Sequence, residues 1–399
     1  MHSTIKKVVL ALYPSLRRLV EQRNQLLVQV QAAVSMQSSQ RPSHRPYVVL
    51  NVDPAIGAGS RVDDDRIVER LLKSYQRSSP DQYGRDSMWR DHFNTYHGES
   101  HRVFMQGDIE EARQILANPG SNNLFHGFDE LCILFLPSYH ADPKSLASSC
   151  QDNLLRLAEA VGAFRIDCPE LASTHWLENT EISTDKIVQA IEAMLNTEIS
   201  FPDIYPGAVG AKSHRGIVTY RAIQAVYLAF RLRQIIQNDA TSNRSSSVCE
   251  IGAGLGRSAL YANQLGLKDY TIVDVPMTVI SQGYYLLRCL GADAVALPGE
   301  PRRNSEQIRL LHPEDFFSSH ERFDLIANVD SLSELGHDLA VRYLKKISAT
   351  APNFLSINHE ANSIRVIDLL KELDRPYKIS RYPYWMRQGY VEELVKFQP

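Results

Sequence analysis

Apolar residues in the first half of the chain recur at helical spacing. Leu16, Leu19, Val20, Leu26, Leu27 and Val30 share one face over residues 15–34, which predicts an amphipathic helix packed on its own domain rather than on a partner helix. The same spacing predicts helices over 62–75, 108–118, 144–161 and 183–196. Between them stand breaks such as Asn118-Pro119-Gly120-Ser121-Asn122-Asn123, residue types that turn a backbone rather than continue a helix. Residues 35–46 are mostly polar with two prolines and read as a linker, and 47–52 as a short strand. No internal repeat or low-complexity tract stands out.

The pattern changes in the second half. A long helix is predicted over 215–238, with Ile217, Tyr220, Ile223, Val226, Tyr227, Phe230 and Ile235 on one side. After a polar break at 238–246, short apolar runs appear at 248–251, 270–274, 307–311, 323–329 and 354–358. Helical patterns at 257–266, 276–290, 338–349 and 362–373 separate most of them. Strands alternating with helices predict an α/β fold, a doubly wound, mostly parallel, Rossmann-like sheet, preceded here by a mainly helical N-terminal domain. The boundary is placed near residue 200, where Phe201-Pro202-Asp203-Ile204-Tyr205-Pro206-Gly207 breaks the helical pattern, giving domains 1–200 and 201–399.

Composition narrows the class. The 399 residues are 44% hydrophobic and 22% charged, which excludes a mostly disordered chain. A net charge of −3 argues against a dedicated nucleic-acid binder. No run approaches the roughly 18 apolar residues that span a bilayer, so no membrane association is expected. The cysteines, Cys132, Cys150, Cys168, Cys249 and Cys289, are odd in number and form no CxxC pair. They read as reduced thiols of a cytoplasmic protein without a cysteine-rich zinc site. The short apolar run before Pro14 is followed by Arg17 and Arg18 and is not read as a secretory signal.

The chemistry concentrates in Glu250-Ile251-Gly252-Ala253-Gly254-Leu255-Gly256-Arg257, which follows the first predicted strand of the sheet and opens a helix. Three glycines let the backbone turn sharply and approach a ligand without Cβ atoms in the way. Asp274 ends the second strand, where a carboxylate accepts hydrogen bonds from ribose hydroxyls. Both S-adenosylmethionine and nicotinamide dinucleotides fit that device, and Gly254-x-Gly256-x-x-Ala259 satisfies the loosened dinucleotide pattern. That register leaves Glu250 and Gly252 unexplained, and a carboxylate beside the loop repels a pyrophosphate but suits a cationic methionine moiety. A tight strand-to-helix turn without ligand is the remaining reading. No G-x-x-x-x-G-K-[ST] is present, which excludes a nucleoside-triphosphate P-loop.

Glu250-x-Gly252-x-Gly254-x-Gly256 with Asp274 resembles the core of class I S-adenosylmethionine-dependent methyltransferases. Residues 220–227, 269–276, 328–334, 356–361 and 381–394 further resemble the sugar O-methyltransferase family, densely over about 205–397, with 124–131 the clearest piece upstream. The resemblance implies S-adenosyl-L-methionine as cofactor, an antiparallel strand near the end of the sheet, and methyl transfer to a sugar, nucleotide-sugar or polysaccharide-precursor hydroxyl. The helical half would cap the acceptor and support a homodimer. A natural product or peptide carboxylate as acceptor, an NAD-dependent oxidoreductase and an inactive scaffold are the rivals.

The resemblance also distributes roles. Glu250, Gly252, Gly254, Gly256, Asp274 and Asn328 would surround the cofactor, with Asp315 beside the adenine or merely capping a helix. Asp330, His359 and Glu360, at the ends of the fourth and fifth strands, would take the hydroxyl proton or contact the acceptor, unless Asp330 only caps the short helix that follows and His359 is a structural histidine. Their spacing does not demand magnesium, and no metal is assigned. Tyr384, Trp385 and Arg387 would form an acceptor wall, unless they only pack the last strands. The glycine-rich stretch 205–215 reads as a lid or as an interdomain linker.

Overall fold

A computed structural model describes residue 22 and residues 48–60, 64–78, 87–164, 180–239 and 246–398. The helix expected at 15–34, apart from Gln22, and the linker at 35–46 lie outside the described residues. The strands, in chain order, are β1 (Val48–Asn51), β2 (Pro54–Ala58), β3 (Thr180–Ser183), β4 (Pro206–Ser213), β5 (Gly216–Val218), β6 (Ser247–Ile251), β7 (Asp269–Val273), β8 (Val295–Ala296), β9 (Ile308–Leu311), β10 (Leu325–Val329), β11 (Asn353–His359), β12 (Tyr377–Pro383) and β13 (Tyr390–Phe397).

Eight of them form one sheet in the order β12-β13-β11-β10-β6-β7-β9-β8. All neighbours are parallel except β13, which runs antiparallel between β11 and β12. The parallel strands are buried on both faces, as the continuous apolar runs require. From β6 the chain adds β7 and β9 on one side, then returns to add β10 and β11 on the other. The reversal between β6 and β10 opens a crevice beyond the carboxyl ends of the strands.

The helices between strands follow the predicted spans closely: Arg257–Gln264, Pro276–Leu290 and His337–Thr350. The last is only Val366–Leu370. Upstream, Asp65–Tyr75, Ile109–Ala117, Pro143–Ala160 and Thr184–Leu195 match the apolar periodicity. Asp108, Asp142 and Ser183 start the last three by accepting a backbone N–H. Met88–Tyr96, Gly98–Gln106 and Leu136–Ala141 are additional helices.

The stretch 205–215 corrects an expectation. It is neither lid nor linker but β4, the middle strand of a three-stranded antiparallel sheet ordered β2-β4-β5. A Cβ on Gly210 would stand 2.3 Å from the Val218 carbonyl oxygen of β5. That glycine serves close strand approach rather than mobility. β5 also takes the start of the long helix, which runs Tyr220–Asp239 after Thr219 accepts the Ala222 N–H at 3.3 Å.

One hydrophobic cluster runs from Val68 through Phe125 and Leu154 to Tyr284 and Tyr390, and a second covers the other face around Phe316, Leu344 and Phe354. Helix 65–75 lies on helix 276–290, where Asp64 accepts from Arg288 at 3.0 Å and from the Tyr284 hydroxyl. Among the described residues, Cys132, Cys150, Cys249 and Cys289 are free thiols, and no helix is long and apolar enough to cross a membrane.

Candidate functional site

Beyond Ile251 the chain turns through glycines with positive φ: Gly252 at 74°, Gly254 at 55° and Gly256 at 81°. The Gly252 N–H donates to the Val273 carbonyl at 3.0 Å, so the turn is tied to the end of β7. A Cβ on Gly252 would sit 2.2 Å from Ser331 Oγ, so no larger side chain fits. Gly256 opens helix 257–264 and packs toward Ile272 and Leu286, beneath the turn rather than in the crevice.

The crevice is a cleft of about 990 Å³, part of it open to solvent. Glu250, Gly252, Gly254 and Asp274 line one end. Glu250 is buried, accepts from the Ser258 hydroxyl and from the Tyr270 hydroxyl at 2.8 Å, and burial pushes its carboxyl above the usual range. Asp274 accepts from Gln282 Nε2 at 2.7 Å and from the Val275 N–H at 2.8 Å. The same Gln282 amide donates to the Gly254 carbonyl at 2.8 Å, locking acid and turn together. Burial pushes the Asp274 carboxyl up to about 7.

The other end is lined by Asp330, Glu334, Tyr384, Arg387 and Tyr390. Asp330 closes β10 in the left-handed region, at φ 56°, and its N–H reaches the Ile357 carbonyl at 2.9 Å. Its carboxylate accepts from Arg387 Nη1 at 2.7 Å and from the Tyr390 hydroxyl at 2.9 Å. Burial opposes its charge, but the Arg387 guanidinium overrides that and holds the carboxyl below the usual carboxylate range. Arg387 also stacks on the Tyr390 ring, 3.7 Å from its centre.

Not every expected residue reaches the cleft. Asn328 lies under it, fully buried, donating to the Ile251 carbonyl at 2.9 Å and accepting from Asn358 Nδ2 at 2.8 Å. Asp315 is exposed and caps helix Pro313–Ser318 with His312. His359 is not among the lining residues; it meets the Tyr390 ring edge-on at 4.9 Å and accepts the Ala361 N–H through Nδ1. Glu360 is paired with Arg381 away from the cleft. Trp385 packs edge-on against Tyr227 at 5.2 Å, behind Tyr384. Among the described residues no three His, Cys, Asp or Glu side chains are grouped to hold a metal.

The structure adds residues that spacing did not single out. Trp89, Gly127 and Phe128, all from the N-terminal half, line the cleft, and the Phe128 carbonyl would stand 3.4 Å from a Cβ on Gly254. The neighbouring Asp129 forms an ion pair with Arg257, which pins segment 124–131 to the helix after the glycine turn. Behind Trp89 lie His92 and His126, ring centres 5.0 Å apart, with burial pushing His97 and His126 down to about 4. Arg221 and Gln224 enter from helix 220–239, joined at 3.3 Å. Glu334 has a buried Oε2 without a partner, and burial followed by the Asp330 charge pushes its carboxyl up to about 8. Arg221 and Glu334 both fall within stretches that carried the family resemblance, but nothing local marks them as cleft residues.

No protein-family model and no curated protein matches the chain. Solved structures do. One is the magnesium protoporphyrin IX methyltransferase of Synechocystis with bound S-adenosylmethionine, at 11% identity and TM-score 0.31, covering 45% of this chain and 86% of that one. Another is the ribosomal protein L11 methylase of Lactobacillus delbrueckii subsp. bulgaricus, at 13% identity and TM-score 0.32, with coverages of 44% and 80%. A third is an S-adenosylmethionine-dependent methyltransferase of Aquifex aeolicus, at 13% and 0.30, with coverages of 41% and 88%.

Proposed function

We propose that the chain is an S-adenosylmethionine-dependent O-methyltransferase whose acceptor is a sugar hydroxyl. The observation that carries this reading is the glycine turn, with Gly252 forced small by Ser331 and flanked by the carboxyls of Glu250 and Asp274, at the switch point of a parallel sheet. A pyrophosphate would meet two acids there, whereas a neutral nucleoside and a sulfonium would not be repelled.

The residues fit such a group. Asp274, held in place by Gln282, would take the ribose hydroxyls, the backbone of Gly252 to Leu255 would approach the nucleoside, and the methionine end would lie toward Asp330. When bound, the cofactor supplies an electrophilic methyl group on a positively charged sulfur. The chain contributes positioning and exclusion of water: Trp89, Phe128 and Tyr384 wall the cleft, and the Asp330–Arg387–Tyr390 cluster presents fixed polar groups to the acceptor. Flat aromatic faces beside such groups suit a sugar, whose carbon face is apolar and whose rim carries hydroxyls. The N-terminal half is the acceptor cap on this reading, because Trp89, Gly127 and Phe128 come from it.

Calorimetric titration with S-adenosylmethionine and S-adenosylhomocysteine tests the cofactor. Transfer of a labelled methyl group to a panel of sugars, nucleotide sugars, natural products and peptide carboxylates tests the acceptor. A folded protein that binds neither nucleoside overturns the proposal, and transfer only to non-sugar acceptors overturns its second half.

A further inference from the structure

Four carboxyls line the cleft, and their surroundings set them apart. Glu250 and Asp274 flank the glycine turn, each holding donors from its own neighbourhood. Asp330 is committed to Arg387 and Tyr390. Glu334 is different. Its Oε2 is buried and accepts from no group.

The backbone that carries Glu334 is rigid. It ends the single turn Leu332–Glu334, and its N–H donates to the Ser331 carbonyl at 3.0 Å. Leu332 N–H donates to Asn328 Oδ1 at 3.3 Å, and the Ser333 hydroxyl to Asn358 Oδ1 at 3.2 Å. Asn362 Nδ2 donates to that same hydroxyl at 2.8 Å. A carboxyl on a pinned turn, with one oxygen free, is preorganised to receive a proton. The groups that face it are Asp330 at the strand end, Trp89 from helix 88–96, Arg221 from helix 220–239 and Arg387 from the last turn. Arg221 donates to Gln224 Oε1 at 3.3 Å, and its charge acts on Glu334 as well as on Asp330 and Glu130.

We infer that Glu334 is the general base of this site: its carboxyl, held at the cleft wall with one oxygen unpartnered, takes the proton of the acceptor hydroxyl. The inference rests on the methyltransferase reading. In the step it describes, the acceptor oxygen forms a bond to the methyl carbon as the carbon–sulfur bond breaks, with the electron pair staying on sulfur. The hydroxyl proton passes to the Glu334 carboxylate and then to water. His359 and Glu360, both outside the cleft lining, do not compete for this role, and Asp330 is held ionised by Arg387.

The test needs no acceptor. S-adenosylmethionine and S-adenosylhomocysteine differ by the methyl group and the positive charge on sulfur. Any acid that faces the nucleoside changes both affinities alike and cancels from their ratio. A carboxylate facing the methyl group raises only the first. Calorimetry of both ligands from pH 6.5 to 9 should show the wild-type affinity ratio rising on the order of tenfold as Glu334 ionises, the size expected for two opposite charges separated by one acceptor oxygen in a part-solvated cleft. Asp330, already ionised, contributes a constant. Glu334→Gln should hold the ratio flat and keep S-adenosylhomocysteine affinity within about twofold, while Glu334→Asp restores the rise. A flat wild-type ratio, or an unchanged rise in Glu334→Gln, overturns the inference and leaves the cofactor reading standing. Failure of the wild type to bind either ligand defeats both.

Discussion

Gly252 gives the sharpest test of the cleft's architecture, because two separate costs can be assigned to a single methyl group. In Gly252→Ala the new Cβ would lie 2.2 Å from Ser331 Oγ and 2.4 Å from Ser331 Cβ, well inside van der Waals contact. Ser331 cannot swing away freely, since its hydroxyl donates to the Ile251 carbonyl at 3.1 Å and also meets Asn328. The backbone at φ 74° adds a second cost, about 1–2 kcal/mol for any residue with a Cβ. The overlap adds about 1–3 kcal/mol of overpacking. Gly266 is the internal control: its φ is 88°, it ends helix 257–264 with the Leu267 N–H donating back to the Ala262 carbonyl, and nothing lies within 4 Å of a Cβ placed there. Gly266→Ala therefore carries the backbone cost alone. Urea unfolding of the two variants side by side should show Gly252→Ala less stable by about 1–3 kcal/mol, with S-adenosylhomocysteine affinity lowered only in that variant. Adding Ser331→Gly, which removes both clashing atoms, should recover most of the difference. Equal destabilisation of the two alanine variants, or no recovery in the double variant, would refute the reasoning.

Three further outcomes follow from the same contacts. Burial lifts the Asp274 carboxyl to about 7, so the native state holds a proton that the unfolded chain releases; stability falls as pH rises from about 4 to 7, and Asp274→Asn should flatten that slope in urea midpoints taken at pH 5 and pH 8. His126 is displaced the opposite way, to about 4 from burial, so its contribution is complete above about pH 6.5 and is lost as pH falls toward 4; His126→Asn should remove up to about 3 kcal/mol of the acid sensitivity, followed by tryptophan fluorescence on acid titration. Asn328→Ala removes the acceptor of the Leu332 N–H and one of two partners each of the Ile251 carbonyl and the Asn358 amide, which keep Ser331 and Ser356, and should cost about 1–3 kcal/mol in denaturant titration.

The parallel half of the fold was legible for a specific reason. Strands buried on both faces read as unbroken apolar runs, and Val248-Cys249-Glu250-Ile251 and Tyr270-Thr271-Ile272-Val273 are buried at nearly every position. β12 shows almost no apolar pattern because it is an edge strand exposed along most of its length, so only the family resemblance pointed to it. Helices 88–96 and 98–106 bury only Trp89, Phe93, Ser100, Val103 and Phe104, too sparse a stripe among charged and histidine neighbours to announce themselves. β4 was misread because Gly207, Ala208, Gly210 and Ala211 look like a mobile loop. Their smallness answers to the approach of β5 and β2, which no local pattern reveals.

The site divides along the same line. Glu250, the glycines and Asp274 declare themselves because the chemistry of a turn beside two acids is contained within twenty-five residues. The charge state of each acid is not contained there. Asp330 is ionised because Arg387 and Tyr390, 57 and 60 positions further on, arrive from the antiparallel end of the sheet. Glu334, four residues from Asp330, is pushed the other way, by burial first and by the Asp330 charge second. His359 has the side chain expected of a base but points its ring at Tyr390 from behind the wall. A residue type says what a group can do with a proton; the partners brought to it across the fold decide whether it holds one. Two carboxyls four residues apart, one held charged and the other able to gain or lose a proton near neutrality, are the arrangement by which, on the proposed reading, a single cleft would both fix an acceptor and deprotonate it.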